Sequence, residues 1–179
     1  NANSSFEKIE VKNISFSYPQ SNNQVIEGVS LEISRGDSIG FIGSSGSGKT
    51  TLIDLILGLL KTQTGEIVFN GRSFSEEQTI KEWVSNIAYL PQQIFLIDDT
   101  LRNNVALGVE DNMIDDNRLN NALQQARLKD FVELLPEGSR TLIGERGIRI
   151  SGGQRQRVAL ARAFYHQRSV LVMDEACLL

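Results

Sequence analysis

Residues 43–51, Gly-Ser-Ser-Gly-Ser-Gly-Lys-Thr-Thr, have the composition and order of a loop that could bind phosphate groups. Glycines let successive backbone N–H groups point inward without Cβ clashes. Together with the positive end of a following helix, these donors form an anion site. In the pattern Gly-x-x-x-x-Gly-Lys-Thr, Lys49 would contact the terminal phosphates of a nucleotide, and the Thr50 hydroxyl would bind Mg²⁺. The predicted nucleotide-binding residues of the loop are Gly43, Ser44, Ser45, Gly46, Ser47, Gly48, Lys49, Thr50 and Thr51.

Apolar segments on both sides of this loop support the interpretation. Residues 38–42, Ser-Ile-Gly-Phe-Ile, predict an interior strand, and residues 52–60 predict a buried helix. Without these flanks, a flexible Gly/Ser turn that happens to end in Lys-Thr would be an adequate explanation. A strand before the loop and a helix after it favour nucleotide binding instead.

A second candidate site lies at the end of the apolar run 170–173. Asp174 and Glu175 follow this predicted strand, and a parallel sheet delivers ligands to the carboxyl ends of its strands. Asp174 would hold Mg²⁺ directly or through water, and Glu175 would take the proton from an attacking water. An isolated Asp-Glu pair would more simply be a solvated turn, so this prediction depends on the phosphate loop.

The remaining patterns predict the elements that must position these residues. Residues 7–18 alternate with a phase slip, which indicates a bulged strand, and residues 29–33 predict another. A short strand between two turns is expected within residues 62–71, and another strand is expected to end at Pro91. Between about 98 and 138 the spacing is helical, with two stripes that we interpret as core: Leu119, Ala122, Leu123 and Ala126, then Leu128, Phe131, Val132 and Leu135. Strands and helices that alternate on both sides of this region predict an α/β core with a largely parallel sheet.

Composition narrows the function classes. The 179 residues suffice for one domain with a core, and the net charge of −4 disfavours nonspecific nucleic-acid binding. A single cysteine, Cys177, excludes a disulfide within the chain and a cysteine zinc site. No apolar run approaches the length of a membrane span. The first residues, Asn-Ala-Asn-Ser-Ser, have the composition of a linker edge.

A third motif, Ile150-Ser-Gly-Gly-Gln154, opens a helix with Ser151 as a good N-cap residue. With the two motifs above, it makes the chain resemble the ATP-binding domain of ABC transporters over residues 6–176, with Ile150 where leucine is more usual. The resemblance implies a P-loop NTPase (RecA-like) core with a mainly parallel sheet, an N-terminal antiparallel β subdomain and an inserted α-helical subdomain. It places the nucleotide-binding core at 6–92 and 155–179 and the helical subdomain, with the motif, at 93–154, all within one domain.

The resemblance also implies roles for individual residues. Tyr18 would stack on adenine, and Val25 would back the nucleotide. Gln92 would contact Mg²⁺ or the water, which makes it a catalytic residue beside Lys49 and Glu175. Two such domains would pair head to tail, and one would meet the γ-phosphate bound to the other. The residues expected to act there, in trans, are Ser151, Gly152, Gly153 and Gln154.

Two segments resemble the exporter-type members more narrowly. These are residues 98–108 and residues 141–147, the second being the loop that touches the membrane helices in such proteins. A weaker resemblance points to exporters of lipids or lipid-linked saccharides. The implied partners are a second ATP-binding domain, in a homodimer, and transmembrane domains upstream in the same polypeptide. The implied location is the cytoplasmic face of the cell membrane. Nucleic acid is not among the implied partners.

The end of the sequence departs from the family pattern. Cys177-Leu178-Leu179 stands where Thr-Ser-small-Leu-Asp is usual, and the later strands and switch histidine are absent. His166 precedes Asp174, so we assign it no catalytic role. As written, the chain is therefore expected to lack a C-terminal part and to bind ATP with weak hydrolysis. Three alternatives stay open: a soluble ABC protein of translation or DNA repair, an ATP-gated dimerisation module without turnover, and a P-loop kinase.

Overall fold

The computed structural model describes residues 5–19, 23–144 and 147–174. The chain divides into two units, Asn1–Asn86 and Ile87–Leu179. The first unit contains β1 (Lys8–Phe16), β2 (Ile26–Ser34), α1 (Lys49–Ile56), β3 (Thr64–Phe69), β4 (Arg72–Ser73) and α2 (Glu77–Asn86). The second contains β5 (Ile87–Leu90), β6 (Asp99–Thr100), α3 (Leu101–Val105), α4 (Asp116–Gln125), α5 (Lys129–Glu133), β7 (Leu142–Ile143), α6 (Gly152–Tyr165) and β8 (Val170–Met173).

The sheet of the first unit is antiparallel, in the order β2-β1-β3-β4. In β1, Ile9 and Val11 are buried and alternate with more accessible residues, as the sequence pattern predicts. The register shifts between Val11 and Ile14, where Asn13 has φ +50°. The predicted bulge is therefore confirmed, and it keeps Ile14 on the buried face after the phase slip.

An aromatic cluster closes the core of this unit against the buried face of the sheet. The ring of Trp83 lies 5.3 Å from that of Phe69 and 5.7 Å from that of Phe6. The Trp83 indole Nε1 donates a hydrogen bond of 2.7 Å to the carbonyl of Ile56. Because Ile56 is the last residue of α1, this bond ties α2 to the end of the helix that follows the phosphate loop.

The predicted strand at residues 38–42 is wrong. Among the described residues this segment has no ladder partner, and the Ile42 side chain is 99% exposed. An apolar segment becomes an interior strand only where neighbours supply backbone hydrogen bonds on both sides. The following helix also differs from the prediction: α1 begins at Lys49 and ends at Ile56, with Gly58 in a left-handed conformation at φ +76° and Leu59 exposed.

Parallel pairing in the second unit joins β5 to β8, with Leu90 opposite Met173. Among the described residues no other named strands pair in parallel, because residues 38–42 form no ladder. The mixed α/β fold, the antiparallel N-terminal sheet and the helical region after β5 agree with the predicted fold class.

Three helices of the second unit share one hydrophobic core. Leu101 and Val105 of α3, Leu119 of α4 and Val158 of α6 are almost completely buried there. Both predicted helical stripes contribute to this core, with Phe131 and Val132 partly buried at its edge. The helix α6 thus packs on the helices that precede it, and the three-part division at residues 92 and 154 stays a prediction.

Candidate nucleotide-binding site

Three glycines give the phosphate loop its shape. Gly46 has φ +77° and Gly48 has φ +87°, a left-handed conformation that costs other residues energy. A Cβ at Gly48 would lie 2.9 Å from the carbonyl oxygen of Val25. At Gly43 a Cβ would lie 2.6 Å from the Ser47 Oγ. The loop therefore depends on glycine for both its backbone conformation and its close contacts.

The helix α1 begins immediately after this loop without a side-chain cap. Its N-cap residue is Gly48, which has no side chain with which to accept from the first-turn N–H groups. The loop residues Gly43 to Ser47 are exposed, and so is Thr50 in the first turn. The open donors and the positive end of the helix dipole give this place the chemistry of an anion site.

The Lys49 ammonium lies over the loop. Its Nζ donates hydrogen bonds of 2.8 Å to the carbonyl oxygens of Gly43 and Ser44, and lies 3.4 Å from the Ser47 Oγ. These three acceptors are neutral. A phosphate oxygen forms a stronger, charge-assisted bond with an ammonium, so an incoming phosphate would compete well for Lys49.

The residues predicted to hold the base lie beside the same loop. The Tyr18 hydroxyl is 3.1 Å from the Thr51 Oγ1 in α1, and the Tyr18 ring packs edge-on against Phe16 at 5.1 Å. The Tyr18 side chain is partly open to solvent. Val25 borders Gly48 through its carbonyl. The structure thus brings Tyr18, Val25 and residues 43–51 together in the first unit.

Gln92 and Asp174 belong to the second unit and follow neighbouring parallel strands. The backbone N–H of Asp174 donates a hydrogen bond of 3.1 Å to the carbonyl of Leu90, two residues before Gln92. Both side chains therefore leave the carboxyl ends of β5 and β8, the end of a parallel sheet where ligands bind. Glu175 lies outside the described residues.

The motif at 150–154 forms a complete capping box at the start of α6. The Ser151 Oγ accepts from the backbone N–H of Gln154 at 3.2 Å, and the Gln154 Oε1 accepts from the N–H of Ser151 at 2.8 Å. The Ser151 hydroxyl proton and the Gln154 amide protons stay available as donors. Gly152 and Gly153 are exposed, and a Cβ on either would meet nothing within 4 Å. The glycines leave this helix start open to an approaching ligand.

The candidate metal ligands are all oxygen donors. Thr50 offers a hydroxyl, Gln92 an amide carbonyl and Asp174 a carboxylate, which is the hard donor set that Mg²⁺ prefers. Mg²⁺ usually takes one or two protein ligands together with water and phosphate oxygens, so a dedicated cage is not required. Within the described residues no cluster of three or more His, Cys, Asp or Glu side chains could hold a metal. Each of the Thr50, Gln92 and Asp174 side chains carries an oxygen donor of the type that suits Mg²⁺.

Sequence reasoning missed one polar cluster beside these elements. The guanidinium of Arg162 in α6 contacts backbone carbonyls of Phe95 and Asn104, and burial lowers its pKa. The available signal was that Arg162 follows the core residue Val158 by four positions and so lies near the buried face of the helix. His166, at the end of the same helix, has its pKa lowered by burial and by Arg168 and Arg118, which favours the neutral imidazole.

A glycine loop that opens an uncapped helix, with a lysine at its end, defines a P-loop nucleotide-binding domain. The family model for ABC transporters matches residues 26–178. The chain therefore belongs to the ABC transporter family, and the matched part is its ATP-binding domain.

Individual relatives point to exporters. The chain is 40% identical over 171 residues to an ATP-dependent lipid A-core flippase of Saccharophagus degradans, covering 94% of this chain and 28% of that protein. It is 37% identical over 175 residues to ABC transporter B family member 6 of Dictyostelium discoideum, covering 94% of this chain and 25% of that protein. A solved structure of a bacterial Atm1-family ABC exporter with ATP bound superposes with a TM-score of 0.80 at 28% identity, covering 95% of this chain and 29% of that one.

These matches confirm the prediction that the chain is an ATP-binding domain of the exporter type. The chain spans between a quarter and a third of the length of these relatives. Among the described residues no helix is long and apolar enough to cross a membrane.

Proposed function

We propose that this chain binds and hydrolyses ATP as the motor domain of an ABC exporter. One observation carries the proposal: a glycine loop opens an uncapped helix and holds the Lys49 ammonium over its own carbonyl groups. Such a loop offers open N–H donors, a helix dipole and a full positive charge to one anionic group. The match to the ABC transporter family supports ATP as that ligand.

The residues of the first unit would bind the nucleotide. Residues 43–51 would surround the phosphates, with Lys49 at the terminal ones. Tyr18 would stack on adenine, and Val25 would lie against the nucleotide. Mg²⁺, held by Thr50, Asp174 and Gln92 with phosphate oxygens, would neutralise the charge that develops on the transferred group.

The second unit would supply the groups for hydrolysis. Glu175 would accept the proton of the attacking water, and Gln92 would position that water or the metal. In a dimer, Ser151, Gly152, Gly153 and Gln154 would contact the γ-phosphate bound to the other domain. The capping box supports this role because it fixes the Ser151 oxygen while its proton stays free to be donated.

The transport role rests on the relatives. The exporter-type resemblance at residues 98–108 and 141–147 and the names of the relatives support transmembrane domains as partners. ATP-dependent closure of two such domains would drive export or flipping of a substrate from the cytoplasmic face of the membrane. We propose a homodimer, with the transmembrane part in the same polypeptide.

The test is phosphate release by the intact protein with MgATP, in wild type and in Glu175→Gln. Glutamine keeps the shape of the side chain and removes the proton acceptor. Loss of a general base lowers kcat by about 10²–10⁴-fold. ATP affinity should stay within about twofold, and the ATP-bound dimer should accumulate on size-exclusion chromatography.

The control is Glu133→Gln, which neutralises an exposed glutamate of α5. Its turnover should match that of wild type. Unchanged turnover in Glu175→Gln would show that another group is the base. The proposed function itself would be overturned if the wild type released no phosphate, or released it no faster than Lys49→Ala.

A further inference from the structure

The Arg162 side chain binds three acceptors that belong to one segment, residues 95–104. Its Nη1 donates to the Phe95 carbonyl at 2.9 Å and its Nε to the Asn104 carbonyl at 2.5 Å. Its Nη2 donates to the Asn104 Oδ1 at 3.0 Å. One planar guanidinium thus holds both ends of the segment against α6.

Asn104 closes this segment from inside. Its side chain is completely buried, and its Oδ1 accepts from the backbone N–H of Ile97 at 3.0 Å. Its Nδ2 donates to the carbonyls of Ile97 at 2.9 Å and Thr100 at 3.1 Å. The Asn104 amide therefore joins Ile97, Thr100 and Asn104 to one another, and the Arg162 guanidinium joins Asn104 to Phe95.

The partners of Arg162 differ from those of the nearby arginine of α3. Arg102 is paired with carboxylates, and its Nη1 lies 3.2 Å from the Asp116 Oδ1. Among the described residues no carboxylate lies within ion-pair distance of Arg162, whose acceptors are two carbonyls and one amide. A charged group removed from water is costly unless several hydrogen bonds compensate it, so this arrangement depends on all three acceptors. Lysine could not reproduce the planar fork.

The position of Arg162 links two parts of the proposed catalytic machinery. Phe95 follows Gln92 by three residues. Ser151 caps the helix on which Arg162 lies, about 16 Å away along the helix axis at 1.5 Å per residue. The side chain therefore joins the segment after Gln92 to the rigid helix that begins with the capping box.

We propose that Arg162 is a positioning residue that fixes the Gln92 segment to α6, so that Gln92 and Ser151 reach their catalytic positions together. The inference rests on the proposed function. Arg162 touches neither nucleotide nor water in this scheme. Its loss should lower kcat, because alignment of the water is lost, while the phosphate loop keeps its affinity for ATP.

The experiment is a double-mutant cycle on ATP hydrolysis by the intact protein, with Arg162→Lys, Gln92→Ala and both together. Lysine keeps the charge and removes the three-acceptor geometry. We expect Arg162→Lys to lower kcat about tenfold and to change the dissociation constant of a fluorescent ATP analogue by less than about twofold. In the Gln92→Ala background, Arg162→Lys should lower kcat by less than about twofold more.

The matched control is Arg157→Lys on the same helix, where the side chain makes one long contact of 3.5 Å to the Arg127 carbonyl. It should leave kcat within about twofold of wild type. Independent, multiplicative losses in the double variant would overturn the proposal, as would a change in ATP affinity as large as the change in kcat. If the wild type hydrolysed ATP no faster than Lys49→Ala, the proposed function would be refuted before this cycle is begun.

Hydrogen exchange tests the proposal if Arg162→Lys does not fold. ATP should change the protection of amides 95–104 and of amides 156–166 over the same range of ATP concentration in the wild type. In Gln92→Ala both changes should become smaller together. A change confined to residues 95–104 would overturn the proposal.

Discussion

The two helices that carry the predicted phosphate contacts begin in different ways. In α1 the N-cap residue is Gly48, in a left-handed conformation and without a capping side chain. In α6 the N-cap residue is Ser151, in an extended conformation and within a complete capping box. Both starts are rich in glycine and serine, so composition alone does not separate them.

Because the two helices are capped differently, each would offer a different set of hydrogen-bond donors to a phosphate. At α1 the first-turn N–H groups are left for a ligand, and Lys49 adds a charge. At α6 the Gln154 N–H is already bonded to Ser151, so a ligand would meet the serine hydroxyl, the glutamine amide and the exposed first residues of the helix. We infer that α1 provides the main affinity for phosphate and that α6 contributes oriented side-chain donors.

Lys49→Ala should have the largest effect on this comparison. It removes the positive charge at α1 and leaves α6 unchanged. We expect ATP affinity, measured with a fluorescent analogue, to fall about 10- to 150-fold, the loss typical of a hydrogen bond to a charged group. Lys61→Ala removes an exposed lysine just beyond α1 and should bind like the wild type. If Lys49→Ala bound ATP as tightly as the wild type, α1 would not be the main source of affinity for phosphate.

A glycine series tests whether the shape of the loop matters as much as its charge. Gly48→Ala combines a left-handed φ with a contact of 2.9 Å to the Val25 carbonyl, whereas Gly46→Ala has φ +77° and meets nothing within 4 Å. A left-handed alanine costs about 1–2 kcal/mol, so both variants should melt at lower temperature. Gly48→Ala should lose more stability, and also more ATP affinity, because of the contact.

Gly40→Ala is the control for this series. Gly40 has no left-handed φ, and a Cβ at this position would meet no atom within 4 Å. The melting temperature of Gly40→Ala should therefore stay near that of the wild type. If Gly46→Ala and Gly48→Ala lose the same stability, the contact with Val25 has no energetic consequence.

Two substitutions at Ser151 separate the cap from the proposed ligand contact. Ser151→Ala removes both and should lower the free energy of unfolding by about 1 kcal/mol. Ser151→Asp keeps a good cap but places a negative charge where phosphate would approach. We therefore expect Ser151→Asp to melt like the wild type and yet to impair ATP-dependent dimer formation on size-exclusion chromatography. Normal dimer formation by the aspartate variant would show that α6 does not meet a phosphate.

Tyr18→Phe should have the smallest effect. It removes the hydroxyl that lies 3.1 Å from the Thr51 Oγ1 and keeps the ring that would stack on adenine. Loss of such a bond costs about 0.5–1.5 kcal/mol in stability. ATP affinity should change by less than about threefold, whereas Tyr18→Ala should weaken it more. If the two variants bind ATP equally poorly, the hydroxyl rather than the ring is the important part of Tyr18.

The sequence was sufficient for features that depend on neighbouring residues. Gly48, Lys49 and Thr50 predicted a phosphate loop before a helix, and Ser151 with Gln154 fits the capping-box pattern that the structure contains. The slip after Val11 predicted the bulge of β1. A backbone conformation, a cap or a helical stripe is set by residues within about four positions, so local pattern suffices for them.

Only the tertiary structure decided which apolar or charged residues find partners. Ile39 and Ile42 read as interior strand residues, yet they lie in a segment without a ladder partner among the described residues and are exposed. Arg162 read as an ordinary helical arginine, yet its acceptors stand 58 and 67 positions earlier in the chain. Strand pairing and burial depend on such distant contacts, which lie outside any short stretch of sequence. The glycines, caps and stripes were therefore determined by the sequence itself, whereas the fold decided that residues 38–42 form no strand and that Arg162 joins a buried cluster.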